Sequence, residues 1–208
     1  MPPMTLLGWF HTVMGVIAIL TAAYTLYQHR IIRAADKWGR AYLLITLVVA
    51  GSALAIYNQG GFGVGHILAV ITLTALLAGY LLETLAPFGK WSVYLQTGAY
   101  TATVLFHMIP AITDFLRRLP VGDPFVDSMG APLVQSFHLA FLAAFVVGVL
   151  AQWMWLTRAR GLNMLFMLIT LGFVVVVTGC MILINRWMVS QRPELPSESE
   201  DNDPLTRT

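Results

Sequence analysis

The residues in this chain best suited to chemistry are its histidines. The dipeptide Phe-His occurs three times, at Phe10-His11, Phe106-His107 and Phe137-His138. Each lies inside a long apolar run, and His66 opens a fourth such run. No Asp, Glu, Lys or Arg lies well inside any of these runs. Imidazole in hydrocarbon is costly unless partnered, so such residues usually face a bundle interior and have a task there. Neutral imidazole is also the commonest protein ligand for metals. His11 and His138 lie about five residues after their runs begin, and His107 about five before its run ends. At about 1.5 Å per helical residue, all three fall roughly 7–8 Å below one membrane boundary, with His66 slightly shallower.

That layer fits two kinds of site. In one, two of the histidines ligate the iron of a haem b held between helices. Arg117 and Arg118 would then receive the propionates, and Gly8, Gly15, Gly61, Gly63 and Gly65 would let a flat macrocycle approach backbone. In the other, three or four of His11, His66, His107 and His138 hold a single Cu, Zn or Fe ion. Both need the first, fourth and fifth helices to be neighbours. A plainer reading stands beside them: an imidazole near an interface hydrogen-bonds a carbonyl or headgroup water. That reading suits His66, at a helix start. His29, among arginines, reads as a solvated or lipid-phosphate contact, and Arg117-Arg118 as an interfacial anchor.

The elements that must position these residues follow from hydropathy. Of 208 residues, 58% are hydrophobic and 11% charged, against roughly 45–50% and 25% in soluble domains. A span needs about 20 mostly apolar residues. Six runs qualify: 6–27, 40–57, 65–83, 91–112, 133–156 and 163–184. The expected fold is all-α, a polytopic bundle of six transmembrane helices forming one domain over 1–190. The Pro-, Ser- and acid-rich stretch 191–208 is expected to be a disordered tail. All six tryptophans lie at or near a run's end, where the indole ring is buried and its N–H wet. The first run lacks a preceding Lys or Arg and reads as a retained helix, not a cleaved signal. Cys180, in the sixth run, reads as packing.

Charge sets the expected orientation. The three loops on one side carry seven Lys or Arg: Arg30, Arg33, Lys37, Arg40, Lys90, Arg158 and Arg160. The other side carries five, among acids. Basic loops favour the cytoplasm, which places both termini outside and the protein in a bacterial inner membrane. The one substantial loop, 113–132, is expected to cap the outer mouth.

Motif absences narrow the function. The chain has no phosphate-binding loop, His-Glu-x-x-His, nucleophile elbow or CxxC. With no charge at the midplane, ion-coupled transport is disfavoured. Nucleic acid is not an expected partner; the bilayer is, with a quinone or a larger membrane complex as further candidates.

His11, the run Lys37-Trp38-Gly39-Arg40-Ala41-Tyr42 and His66 before a glycine-rich helix resemble a family of bacterial multipass membrane proteins known as a domain of unknown function. The resemblance covers about the first 80 residues and implies no activity. That family often has a histidine before the Gly-Arg-x-Tyr run, where this chain has Ala34, Ala35 and Asp36. The architecture is also similar to six-helix b561-type membrane cytochromes, which carry four helix-borne histidines and two haems at different depths. Here the histidines share one depth, leaving room for one haem or one metal.

Three functions are therefore expected in order. The first is a haem or metal redox protein passing electrons from a quinol-type donor to an outer acceptor. The second is a non-redox metal site. The third is a structural or assembly subunit.

Overall fold

The computed structural model describes residues 5–57 and 61–160. The sixth apolar run, Cys180, Trp187 and the tail lie outside the described residues. The described residues form five α-helices: α1 (Leu6–His29), α2 (Lys37–Leu54), α3 (Val64–Leu85), α4 (Ser92–Arg118) and α5 (Pro132–Arg160). A single 3₁₀ turn, Gly89–Trp91, leads into α4. No strand occurs among the described residues.

Local chemistry sets several boundaries. Thr5 caps α1, its hydroxyl accepting from the Gly8 N–H at 3.1 Å. α1 stops at Arg30, which takes the left-handed conformation (φ 65°) while its N–H bonds Leu26 O. α2 begins at Lys37, earlier than position 40, because Arg40 N–H already bonds Asp36 O at 2.8 Å. The largest departure is α4, which continues to Arg118 where the sequence places its end near 112. Thr113 and Leu116 are buried and keep the last turns packed. An Asp114–Arg118 pair (3.5 Å) spans one further turn. The capping loop is therefore 119–131. It folds back on α4 through Val126 N–H to Leu116 O (3.2 Å), with Phe125 stacked on Phe115.

Consecutive helices pack side by side, and α4 touches α1, α3 and α5. One end of this bundle carries His11, His66, His107 and His138; the other carries the basic loops. The interior is unusually polar. Thr25, Thr46, Thr97 and Thr103 are fully buried, and so are Tyr42 and Tyr100. The exterior is apolar: Leu20, Leu47, Leu77 and Val147 are each at least half exposed. Burying threonine while exposing leucine inverts the soluble pattern and is what a hydrocarbon solvent selects. Four helices, α1, α3, α4 and α5, are long and apolar enough to cross a membrane, so the chain is an integral membrane protein. α2 falls short of the other four because Lys37 and Arg40 occupy its first turn.

Trp153 departs from the interfacial pattern. It is buried, and its indole N–H donates to Tyr94 O at 2.9 Å, fastening α5 to α4.

Candidate functional site

The histidine end is built around α2. His11, on α1, approaches both Val49 O (3.1 Å) and Ser52 Oγ (3.0 Å) through Nδ1. A carbonyl only accepts, and the Ser52 hydroxyl has already given its hydrogen to Val49 O at 2.8 Å. Nδ1 must therefore carry the proton and donate to both. His11 Nε2 is left as a bare lone pair.

His107, on α4, is also held by α2. The Thr103 hydroxyl donates to Tyr100 O (2.7 Å), so Tyr42 O–H donates to Thr103 Oγ1 at 2.6 Å. One turn along α2, Thr46 Oγ1 and His107 Nε2 share a hydrogen bond at 3.1 Å. Both side-chain bonds are buried, and both join α2 to α4. Thr46 and Val49 lie three residues apart, on one face of α2, so His11 and His107 meet the same stripe. His107 lies within electrostatic reach of His11, and Asp114 within reach of His11 in turn.

His138 is held elsewhere. Thr113 O–H donates to Ile109 O (2.8 Å), so Thr113 accepts from His138 Nε2–H at 2.9 Å. This contact joins α5 to α4 and involves neither α1 nor α2. His66 is a helix cap: its Nδ1 accepts the Gly63 N–H at 3.1 Å, the return half of a capping box. Its ring stacks on Phe62 (centroids 5.0 Å) and lies against Tyr57 (4.6 Å). The four histidines thus have three separate settings. Among the described residues no three His, Cys, Asp or Glu side chains come together as a metal-binding group. The three- or four-histidine ion site is not assembled there; different helix pairs hold the rings apart.

The arginines differ from one another. Arg118 lies 3.5 Å from Asp114 as an ion pair by distance, without hydrogen-bond alignment at Nε. Arg117 has buried Nε and Nη1 atoms with no protein partner. A Cβ added at Gly15, Gly61, Gly63 or Gly65 would meet nothing within 4 Å.

The opposite end holds a construction that hydropathy concealed. The segment Arg30–Asp36 turns inward, burying Ile31 and Ile32. Its backbone is seized from three helices. Gln152 of α5 donates to Arg30 O (2.9 Å), and Gln96 of α4 donates to Ile32 O (2.7 Å). Glu83 of α3 accepts from Ala34 N–H (2.8 Å) and Ala35 N–H (3.1 Å), and from Tyr100 O–H (3.2 Å). Gly39 of α2 closes the clamp from below: a Cβ there would collide with the Arg33 backbone. Thr101 O–H steadies Gln152 at 2.9 Å. None of this was legible as a site, because Glu83 ends its apolar run and reads as a boundary, while Gln96 and Gln152 carry no charge.

Comparison with protein-family models, with curated proteins and with solved structures finds no match for this chain.

Proposed function

We propose that the chain is a membrane redox protein whose cofactor, a haem b, is ligated by His11 and His107. It would pass electrons from a quinol-type donor in the bilayer to an acceptor beyond the histidine end. One observation carries this reading: His11 Nδ1–H is committed to the Val49 carbonyl and Ser52, so Nε2 is presented as an unprotonated donor. Metal-ligating histidines are prepared in this way, the second nitrogen being tied to a carbonyl that fixes tautomer and ring plane. The residues fit such a group in other respects. His107 is buried and on a helix that contacts α1. Arg117 holds unpartnered buried nitrogens on that helix, where propionates would need a cation. Bound there, haem supplies reversible one-electron transfer. The chain's own residues orient the ligands through Val49, Ser52 and Thr46.

The topology belongs to this reading. α2 serves as a fifth span, residues 163–184 as a sixth, and the clamped basic loop faces the cytoplasm of a bacterial inner membrane, with both termini outside. Seven Lys or Arg on the basic side support that orientation.

The test is an oxidised and dithionite-reduced absorbance spectrum of the detergent-purified protein. A Soret band with sharp reduced α and β bands is expected, lost in His11→Ala and His107→Ala and kept in His138→Ala. A flat spectrum after haem-replete expression, or full haem retention in the His11/His107 double variant, overturns the assignment. A flat spectrum would leave metal analysis to separate a bare metal site from a structural subunit.

A further inference from the structure

A cavity of about 440 Å³ sits beside the clamp at the basic end, lined by Arg33, Glu83, Gln96 and Trp155, with Leu82 and Leu156 forming an apolar wall. Its size falls within the roughly 300–1,000 Å³ of small-molecule sites. Two of its charges are opposite in sign yet unpaired with each other. Among the described residues the one ion pair is Asp114–Arg118, at the far end. The Arg33 side chain is exposed, and its backbone is fixed against Gly39. Glu83 takes three hydrogen bonds from the protein. A carboxylate has about four acceptor positions, so one remains.

The lining excludes simple ions. Glu83 repels a purely anionic ligand. Arg33 repels a purely cationic one. A ligand bearing both charges satisfies both groups. Guanidinium favours phosphate, whose oxygens it meets with paired N–H donors. The remaining Glu83 acceptor calls for an N–H, hence a primary ammonium rather than a quaternary one. The Leu82 and Leu156 wall, together with Trp155, calls for an acyl-bearing molecule at headgroup depth. We infer that this cavity binds the headgroup of an ethanolamine phospholipid, its phosphate toward Arg33 and its ammonium toward Glu83. The site is independent of the histidine end and of any haem there.

The test is native mass spectrometry of the full chain in detergent, titrated with acyl-matched ethanolamine, choline and glycerol phospholipids. The ethanolamine lipid should be retained about tenfold more tightly than choline, the equivalent of one charge-assisted hydrogen bond. Arg33→Gln should weaken retention of the ethanolamine lipid about tenfold without lowering the unfolding temperature, because its side chain is exposed. Glu83→Gln should erase the preference over choline. If that variant fails to fold, the wild-type panel and Arg33→Gln still decide. Equal retention of all three lipids, preference for the glycerol lipid, or unchanged binding in Arg33→Gln would overturn the inference. Soluble glycerophosphoethanolamine displacing the lipid at equal concentration would assign the cavity to a free zwitterion and overturn the lipid source.

Discussion

The two ends of the bundle use polar groups in opposite ways. At the basic end, amide and carboxylate side chains reach across helices to saturate the backbone of an inward loop, and most of their donors and acceptors are consumed by the fold. At the histidine end, each inter-helix contact uses one ring nitrogen and a serine or threonine, and the second nitrogen is left over. The first pattern makes stability, since the loop's backbone groups at Arg30, Ile32, Ala34 and Ala35 are each answered by a side chain. The second makes availability, since His11 and His138 are fixed in tautomer yet keep a lone pair. A buried polar network therefore does not in itself mark a functional site; the unspent atom does.

This contrast is broken most severely at Gly39. Gly39→Ala sets a Cβ into the Arg33 backbone. The clamp must open, and stability should fall by about 3 kcal/mol or more, read as a large drop in unfolding temperature in detergent. Gly15→Ala, at the other end, meets open space and should be neutral or stabilise by up to about 1 kcal/mol. Equal effects would refute the clamp as the stabilising element. Next in size, Glu83→Ala removes the acceptor for two backbone N–H groups and Tyr100 and should cost about 3 kcal/mol. Gln96→Leu strands the buried Ile32 carbonyl, at about 1–3 kcal/mol.

At the histidine end the effects should be functional first. Thr46→Val keeps shape but frees His107 Nε2. It should cost only about 1 kcal/mol while shifting the midpoint potential of any bound haem. Smallest of all, Thr113→Val loosens His138 and should leave that potential unmoved. A potential that responds to Thr113 and not to Thr46 would move the site from α2 to α5.

Hydropathy made the helices legible because a span must be continuously apolar. That the histidines gather at one end of the bundle was legible by counting along the runs, but the distance of His107 from its helix end was not, because α4 continues to Arg118. What could not be read was pairing. Thr46, Ser52 and Thr113 look like ordinary tolerated hydroxyls in an apolar run until a neighbouring helix sets an imidazole against them. The end of α4 was misread because Asp114, Arg117 and Arg118 resemble loop residues, whereas burial of Thr113 and Leu116 carries the helix through them. Glu83 was read as an edge because its partners, the N–H groups of Ala34 and Ala35, have no side-chain signature.

The inward loop has a mechanical consequence. It rivets α2, α3, α4 and α5 at one end, while no comparable knot of backbone bonds joins their opposite ends among the described residues. Such a bundle behaves like tweezers with a fixed pivot: small rotations at the rivet become larger separations where the imidazoles sit. A flat guest could enter between α1 and α4 by this splaying, without unfolding any helix. Amide exchange should accordingly rise along each helix with distance from the rivet.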